Sequence, residues 1–463
     1  MPTTGVLLQL VAKGEQDKFL TGNPQMTFCK VMYKRHTNFA IETAQMDIIG
    51  TPDFGKTVYF NIPRNGDLLG KMFIRVVLPP LTLDGTTTPV SYCNGIGHVL
   101  IEEISIEIGE KEIDKQYGEF MEIWSRLTTP ESKRVCMDTM IGRTYSYDLN
   151  SYDDKPSIFP PPNGKVLYIP LQFWFCKNPG SALPLLSIPY TQIRIKVKFA
   201  PLSRVFWKET SGNVVPIDYC STQAQVSQVH LPGVTMWGDY IYLDKEERVE
   251  FLSKESISYI IDQLQYSRKT TIDDKITSVS LPLEFNNPIK EFFIIVQRKA
   301  AVDAHEYFNF SNLTRQEYNK YASAPTQIPV PLNQIMNETN LRTDLISNAI
   351  LYLDGQERNV IQDATYYRLL HTYGHHTSIL PSNFIYTYSL SLSPEELQPS
   401  GSLNASRIDN MTWHFDMNEF IKSSIPPVTD YSYTRGECTL KIYALNYNIL
   451  RIIDGYARVL FSV

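Results

Sequence analysis

Apolar and polar residues alternate with a period of two along most of this chain. In "QIRIKVKF", Ile193, Ile195, Val197 and Phe199 alternate with Arg194, Lys196 and Lys198. "ISIEIG" sets Ile104, Ile106 and Ile108 against Ser105 and Glu107. "FIYTYSLSLS" sets Tyr386, Tyr388, Leu390 and Leu392 against Thr387, Ser389, Ser391 and Ser393. Such alternation predicts strands with one face toward a core and one toward water, as antiparallel sheets have. Asn65-Gly66 predicts a hairpin between "KTVYFNIP" and "MFIRVVL", and Asp354-Gly355 predicts another after "AILYL". Helical spacing is rare. "QYGEFMEIWSRL" gathers Tyr117, Phe120, Met121 and Trp124 on one face, and "DKEERVEFL" opens at Asp244, a capping residue type. The most apolar run, "FFIIV" at 292–296, has the length of a strand and not of a membrane span.

The pattern echoes itself half a chain apart. "ISIEIGEKEID" at 104–114 parallels "AILYLDGQERN" at 349–359: a strand, a glycine turn and a charged return. Upstream of each lies a matching strand pair, and downstream of each a strand, a Pro- and Gly-rich crossover and another strand. This duplication predicts two copies of one β-domain of roughly 200 residues, a size that fits an eight-stranded jelly roll. The helix opening at Asp244 would join them. The expected fold is all-β: two tandem eight-stranded antiparallel jelly-roll barrels with few short helices.

Composition agrees with many short strands and structured loops, since the chain of 463 residues holds 28 Tyr, 22 Phe, 29 Pro and 23 Gly. A net charge of -6 argues against a protein that coats nucleic acid. The six cysteines (Cys29, Cys93, Cys136, Cys176, Cys220 and Cys438) lack metal-ligand spacing and read as free buried thiols of a reducing compartment. The first residues show no secretory pattern, so the sequons at Asn309, Asn312, Asn337, Asn404 and Asn410 are not expected to be glycosylated.

Candidate chemistry centres on "GTPDFGKT", Gly50 to Thr57, which fits the phosphate-loop pattern, with Asp244 and Asp354 as acids closing apolar strands. A phosphate loop needs a helix after it so that amides converge on the phosphates. Here Val58, Phe60 and Ile62 alternate with Tyr59 and Asn61 until Pro63, which predicts a strand beginning at Lys56–Thr57 after a bend at Gly50, Pro52 and Gly55. The nucleotide-hydrolase reading is therefore rejected, and Asp244 and Asp354 read as a helix cap and a hairpin turn. The cluster "HTYGHH" (His371, His375, His376) reads as a loop with a surface or packing role in preference to a metal site. The basic aromatic stretch "FCKVMYKRHTNFA" (Lys30, Lys34, Arg35 and His36 beside Tyr33 and Phe39) reads as a first strand with a charged edge and not as a nucleic-acid surface. No catalytic residue, cofactor site or metal site is assigned, and no enzyme is implied.

"LVAKGEQDKFLTGNPQMTFCKVMYKRHTNFAIE" at 10–42 closely resembles the opening of the major capsid proteins of large icosahedral double-stranded DNA viruses, the nucleocytoplasmic group, nearest its chlorella-virus branch and with relatives in iridoviruses and marseilleviruses. "FGKTVYFNIPRNGDL", "YIPLQFWFCKNPGSALPL", "WGDYIYLDKEERVEFL", "QPSGSLNASRIDN" and "YALNYNILRIIDG" continue the resemblance in family order. It implies an N-terminal arm at 1–26, a first jelly roll at 27–243, a helical linker at 244–255 and a second jelly roll at 256–463. It implies a homotrimer, pseudo-hexagonal because six similar barrels surround its axis, that packs against neighbouring capsomers to tile the shell of the virion. Minor capsid proteins and an internal membrane would lie beneath, without a transmembrane segment or direct nucleic acid, and assembly would take place in the host cytoplasm. In the arm, Leu7, Leu10, Val11 and Phe19 are the expected assembly contacts, docking on a neighbour or a minor protein. The loops at 82–90 and 300–340 are expected to face outward. A carbohydrate-binding jelly roll for host attachment is the alternative function.

Overall fold

In the computed structural model of the chain, the described residues are 4–27, 29, 31–79, 90–143, 165–210, 213–215, 230–314, 343–379, 383–418, 420–421 and 433–461. They fall into two units, Met1–Phe39 and Ala40–Val463. The first carries helices α1 (Thr4–Val11) and α2 (Lys18–Thr21), and no residue of α1 is buried. Residues 31–38 form neither helix nor strand. The expected first strand over "FCKVMYKRHTNFA" is thus corrected: pairing starts only at Phe39, because Val31-Met32-Tyr33 followed by Lys34-Arg35-His36 breaks the period of two that a half-buried strand requires.

Among the described residues of the second unit, sixteen of the strands form two repeated sets of eight. The first eight are β1 (Phe39–Gln45), β2 (Thr57–Asn61), β3 (Leu68–Leu78), β4 (Ile101–Ile108), β5 (Lys111–Tyr117), β6 (Lys165–Pro170), β7 (Ile193–Phe199) and β8 (Gly233–Leu243). The next eight are β9 (Ser256–Tyr266), β10 (Ser278–Leu283), β11 (Pro288–Arg298), β12 (Ile346–Leu353), β13 (Gln356–Glu357), β14 (Tyr386–Ser389), β15 (Met411–Met417) and β16 (Cys438–Ile453). The first set pairs in the orders β1-β8-β3-β6 and β2-β7-β4-β5, and the second in the orders β9-β16-β11-β14 and β10-β15-β12-β13. Adding eight to every strand number converts the first arrangement into the second. Each is a jelly roll: two facing four-stranded sheets with shared connections. Short strands extend the edges, Asp47–Ile49 beside β2, and Thr270–Ile272 and Tyr456–Val459 beside β16.

Local chemistry explains much of this. β7 shows strict alternation of buried and half-buried positions, and its outward Arg194 and Lys198 pair with Glu107 at 2.9 Å and Glu102 at 3.1 Å across the sheet. Asp354 and Gly355 sit at φ 48 and 78 and turn β12 into β13, the left-handed pair that a two-residue hairpin needs. Gly109 and Glu110 do the same between β4 and β5. Asn65-Gly66 does not close a hairpin. β2 pairs with β7 while β3 pairs with β8 and β6, so this turn carries the chain from one sheet to the other, as jelly-roll topology demands. The alternation expected through Ser393 is also cut short: β14 ends at Ser389, and all four of its residues are buried, the polar Thr387 included.

That double burial reflects how the barrels meet. β11 buries nearly its whole length: Phe292, Ile294 and Val296 face the interior of the second barrel, while Phe293 and Ile295 join the core that fills the first. β16 behaves alike, with Leu440, Ile442 and Ala444 inward and Tyr443 and Leu445 outward into the shared core. The outer face of one sheet of the second barrel is therefore a dry seam. Four helices of this unit are α3 (Ile96–Leu100), α4 (Gly118–Thr128), α5 (Glu131–Ile141) and α6 (Lys245–Ser253), and α4 packs on the seam. From α4, Phe120 meets Phe293 edge-on at 5.5 Å and Tyr443 at 5.8 Å, and Trp124 meets Phe293 at 6.1 Å. Gly118 starts α4 because a Cβ there would fall 2.0 Å from the His98 carbonyl oxygen. Burying each such aromatic side chain contributes about 1.5–3 kcal/mol.

Polar groups fix the seam's register. Lys441 donates to Glu119 at 2.7 Å, and the Tyr443 hydroxyl donates to the same carboxylate at 2.6 Å. Asp262 of β9 accepts from Lys290 at 2.9 Å and Lys177 at 3.3 Å. The fully buried Asp114 accepts the Leu264 amide at 3.0 Å, and burial pushes its carboxyl up to about 6. Glu122, also fully buried, accepts from Arg126 at 2.7 Å, meets His98 at 2.6 Å and pairs with Arg143. Burial alone would raise its pKa, but Arg143, Arg126 and His98 reverse this and hold it far below the usual carboxylate range. Arg126 also donates to the Phe308 carbonyl at 3.3 Å and to Asn383 at 3.4 Å, which ties α4 to the second half of the chain. Nearby, His376 lies between Glu291 at 2.7 Å and Glu395 at 3.0 Å. Burial opposes its charge, yet the two carboxylates outweigh it and raise the imidazole to about 9.

Two outcomes are expected. Glu122→Ala leaves two buried guanidinium groups without their shared carboxylate and costs about 3–5 kcal/mol, read as a lower denaturation midpoint; a wild-type midpoint would contradict this role. His376 carries a raised folded pKa, so its contribution is complete below the unfolded value of about 6.5 and is lost as pH rises through about 9. The stability difference between wild type and His376→Gln should shrink across that alkaline window, and a pH-independent difference would refute the ion pair.

Candidate assembly interface

The phosphate-loop pattern is a bend. Gly50 and Gly55 adopt φ 104 and 72, the Gly55 amide donates to Ala200 O at 3.0 Å, and β2 begins at Thr57 with no helix following. Lys56 pairs with Asp53 at 3.4 Å, and His230 meets the same carboxylate at 2.8 Å. Burial of the Asp53 carboxyl works against its charge, but the His230, Phe54 and Lys56 contacts prevail and lower its pKa. The nitrogen that would have bound phosphate is neutralised by its own loop. Asp244 caps α6 by accepting the Lys245 amide at 2.7 Å, and Asp354 accepts the Asn410 amide at 2.8 Å in its hairpin.

The histidine cluster is a loop only at His376, since His371 and His375 are helical. Residues Tyr366–His371 form a π-helical turn continued by a helix, Thr372–His375. His371 and His375 stack at 4.4 Å, and burial lowers the His371 imidazole to about 4. Sequence reasoning found these histidines but not the partners of His376, since Glu291 and Glu395 are far away in the chain. Among the described residues no group of three or more His, Cys, Asp or Glu is placed to hold a metal ion. Cys93, Cys176 and Cys438 are buried, and burial pushes their thiols up to about 12, 12 and 11. Cys29 and Cys136 are exposed, contrary to the expectation that all are buried, and Cys220 lies outside the described residues. The sequon residues Asn309 and Asn312 are buried, with hydrogen-bonded amides.

Several large apolar side chains also face outward. In the first unit Leu7 (50% exposed), Leu10 (65%) and Val11 (79%) lie open on α1; Phe19 sits in α2, and its side chain lies outside the description. In the second unit, Ile41 on β1 and Val166 and Tyr168 on β6 are exposed. These strands are the two edges of the first barrel's β1-β8-β3-β6 sheet. The corresponding sheet of the second barrel is the one covered at the seam. A groove of 490 Å³ lined by Tyr190, Leu252, Ile257 and Gly455 lies beside α6. The loop expected at 82–90 lies outside the described residues but for Val90, and so does most of the loop at 300–340. Among the described residues no helix is long and apolar enough to cross a membrane.

Comparison with known proteins matches each half of this duplicated architecture. Residues 27–244 match the family described as the major capsid protein N-terminus, and residues 247–458 match the large eukaryotic DNA virus major capsid protein. The major capsid proteins of Phaeocystis pouchetii virus and Pyramimonas orientalis virus are 31% and 32% identical to the chain, each alignment covering 99% of both sequences. A chain of the quasi-atomic model of the PBCV-1 virus capsid superposes with a TM-score of 0.71 at 25% identity, over 94% of this chain and all of that one. With two jelly rolls in tandem, a family match on each and relatives aligned end to end, the chain belongs to the major capsid protein family of large eukaryotic DNA viruses, the proteins that form the capsid of the virion.

Proposed function

We propose that three copies of this chain assemble into a pseudo-hexagonal capsomer that tiles the faces of an icosahedral shell. The observation that carries this reading is the strand-for-strand duplication: one chain supplies two equivalent barrels, so a threefold particle presents six similar walls to its neighbours. Residues 1–26 act as the arm, 27–243 as the first roll, 244–255 as the linker and 256–463 as the second roll. The exposed edges carrying Ile41, Val166 and Tyr168 are suited to side-by-side contact, where apolar area and shape complementarity decide the fit. The arm, through Leu7, Leu10, Val11 and Phe19, makes assembly contacts on the interior side of the shell, where minor capsid proteins and an internal membrane lie. Assembly takes place in the host cytoplasm, and the chain's part in it is structural rather than catalytic.

Light scattering on the purified chain should give three times the 53.1 kDa chain mass, with hexagonal outlines by electron microscopy. A folded particle that keeps a single chain's mass at high concentration would defeat the reading. Lys56→Ala should leave that mass unchanged and shift the unfolding free energy by no more than about 0.5 kcal/mol, as for a surface substitution. Neither protein should bind a nucleoside triphosphate in calorimetry; saturable binding that Lys56→Ala abolishes would restore the nucleotide-site reading.

A further inference from the structure

The arm reading gives the first unit contacts but does not say what chemistry receives them. Val6, Leu7, Leu8, Leu10 and Val11 wrap roughly 200° of α1 at 100° per residue, leaving Gly5 and Gln9 on the remaining side. All five are half exposed or more. An aliphatic helix of this kind persists only where something apolar receives it. Beyond Asp17 the character changes. From Lys18 to Ile41 the chain contains no Asp or Glu and carries Lys18, Lys30, Lys34 and Arg35, within a protein of net charge -6. Among these cations stand Val31 (68% exposed), Met32 (66%) and Tyr33 (87%).

We propose that this unit docks on a lipid bilayer surface rich in anionic headgroups, with α1 lying in the plane of the interface. Eight residues of helix span about 12 Å, against a hydrocarbon core of about 30 Å, so α1 rests in the boundary and does not cross it. Aliphatic side chains enter the acyl region, Tyr33 suits the headgroup level, and Lys34 and Arg35 meet the negative surface. Charge complementarity decides for lipid over a protein groove, which would take the apolar helix without needing an acid-free basic stretch behind it. Nucleic acid would use the cations but has no use for five exposed aliphatic side chains. The inference deepens the arm reading above and rests on it for the unit's interior placement.

The test is flotation of the full chain with vesicles of phosphatidylcholine containing phosphatidylserine, against vesicles of phosphatidylcholine alone. The chain should float with the anionic vesicles, less so at high salt. Lys34→Glu with Arg35→Glu should weaken binding about tenfold or more, the range expected for removing and reversing two interfacial cations. Leu7→Asp with Leu10→Asp should weaken it comparably, and the charge variant should keep the wild-type oligomeric mass and melting midpoint. Absence of flotation with anionic vesicles, equal flotation with neutral ones, or binding indifferent to both pairs of substitutions would overturn the proposal. So would a short DNA duplex that binds in place of vesicles and is lost in the charge variant, or a fall in oligomeric mass in the Leu7→Asp, Leu10→Asp variant without vesicle binding, which would assign α1 to a second copy. The oligomeric mass of the wild-type chain tests the capsomer reading independently of any lipid result.

Discussion

The outer face of the sheet β9-β16-β11-β14 is where the two barrels become one body. Phe293 and Tyr443 leave that sheet outward and close on Phe120 and Trp124 of α4, so neither barrel keeps this surface in water. An apolar seam alone would tolerate sliding, since hydrophobic contact has no direction. The buried ion pairs supply direction. Glu122 faces His98, Arg126 and Arg143 in one dry cluster, and Asp262 takes both Lys177 and Lys290. Such groups add little net stability compared with apolar replacements, but a shifted register would leave buried charges unmatched. The seam therefore sets the angle at which the two rolls stand.

That arrangement makes the duplicated barrels unequal in use. In the first barrel the edges β1 and β6 keep apolar residues in the open, while the matching sheet of the second barrel is consumed internally. A subunit with two identical free barrels would offer the same walls to its own partner barrel and to neighbours. Here that sheet of the second barrel is spent within the chain, together with the β5 edge of the first, while β1 and β6 keep apolar residues open for contact with a neighbour.

The legible parts of the sequence were those governed by local chemistry. The alternation in β7, the Asp354-Gly355 hairpin, the Asp244 cap and the strand after Lys56 all stand as read, because each depends on residues within one turn or one strand. Errors came where a distant surface decided. Asn65-Gly66 joins two sheets because β2 and β3 find partners far along the chain. Thr387 and Ser389 look solvated by pattern but are covered, and Thr387 bonds Thr372 at 2.9 Å. His376 does follow the helix as a loop residue, but nothing near it in sequence announces that Glu291 and Glu395 bury and charge it.

By itself the sequence determined the strands, their turns and the repeat that makes two of everything, since period-two burial and left-handed turn residues are properties of short segments. It also marked "FFIIV" as unusually apolar without saying why. Only the tertiary structure decided that this strand is apolar on both sides because a second barrel lies against it. The same is true of the charges: Glu122, Asp262 and His376 read as ordinary polar residues in the chain. They become buried partners because packing brings segments from far along the sequence into one dry space, where a charge persists only beside its opposite.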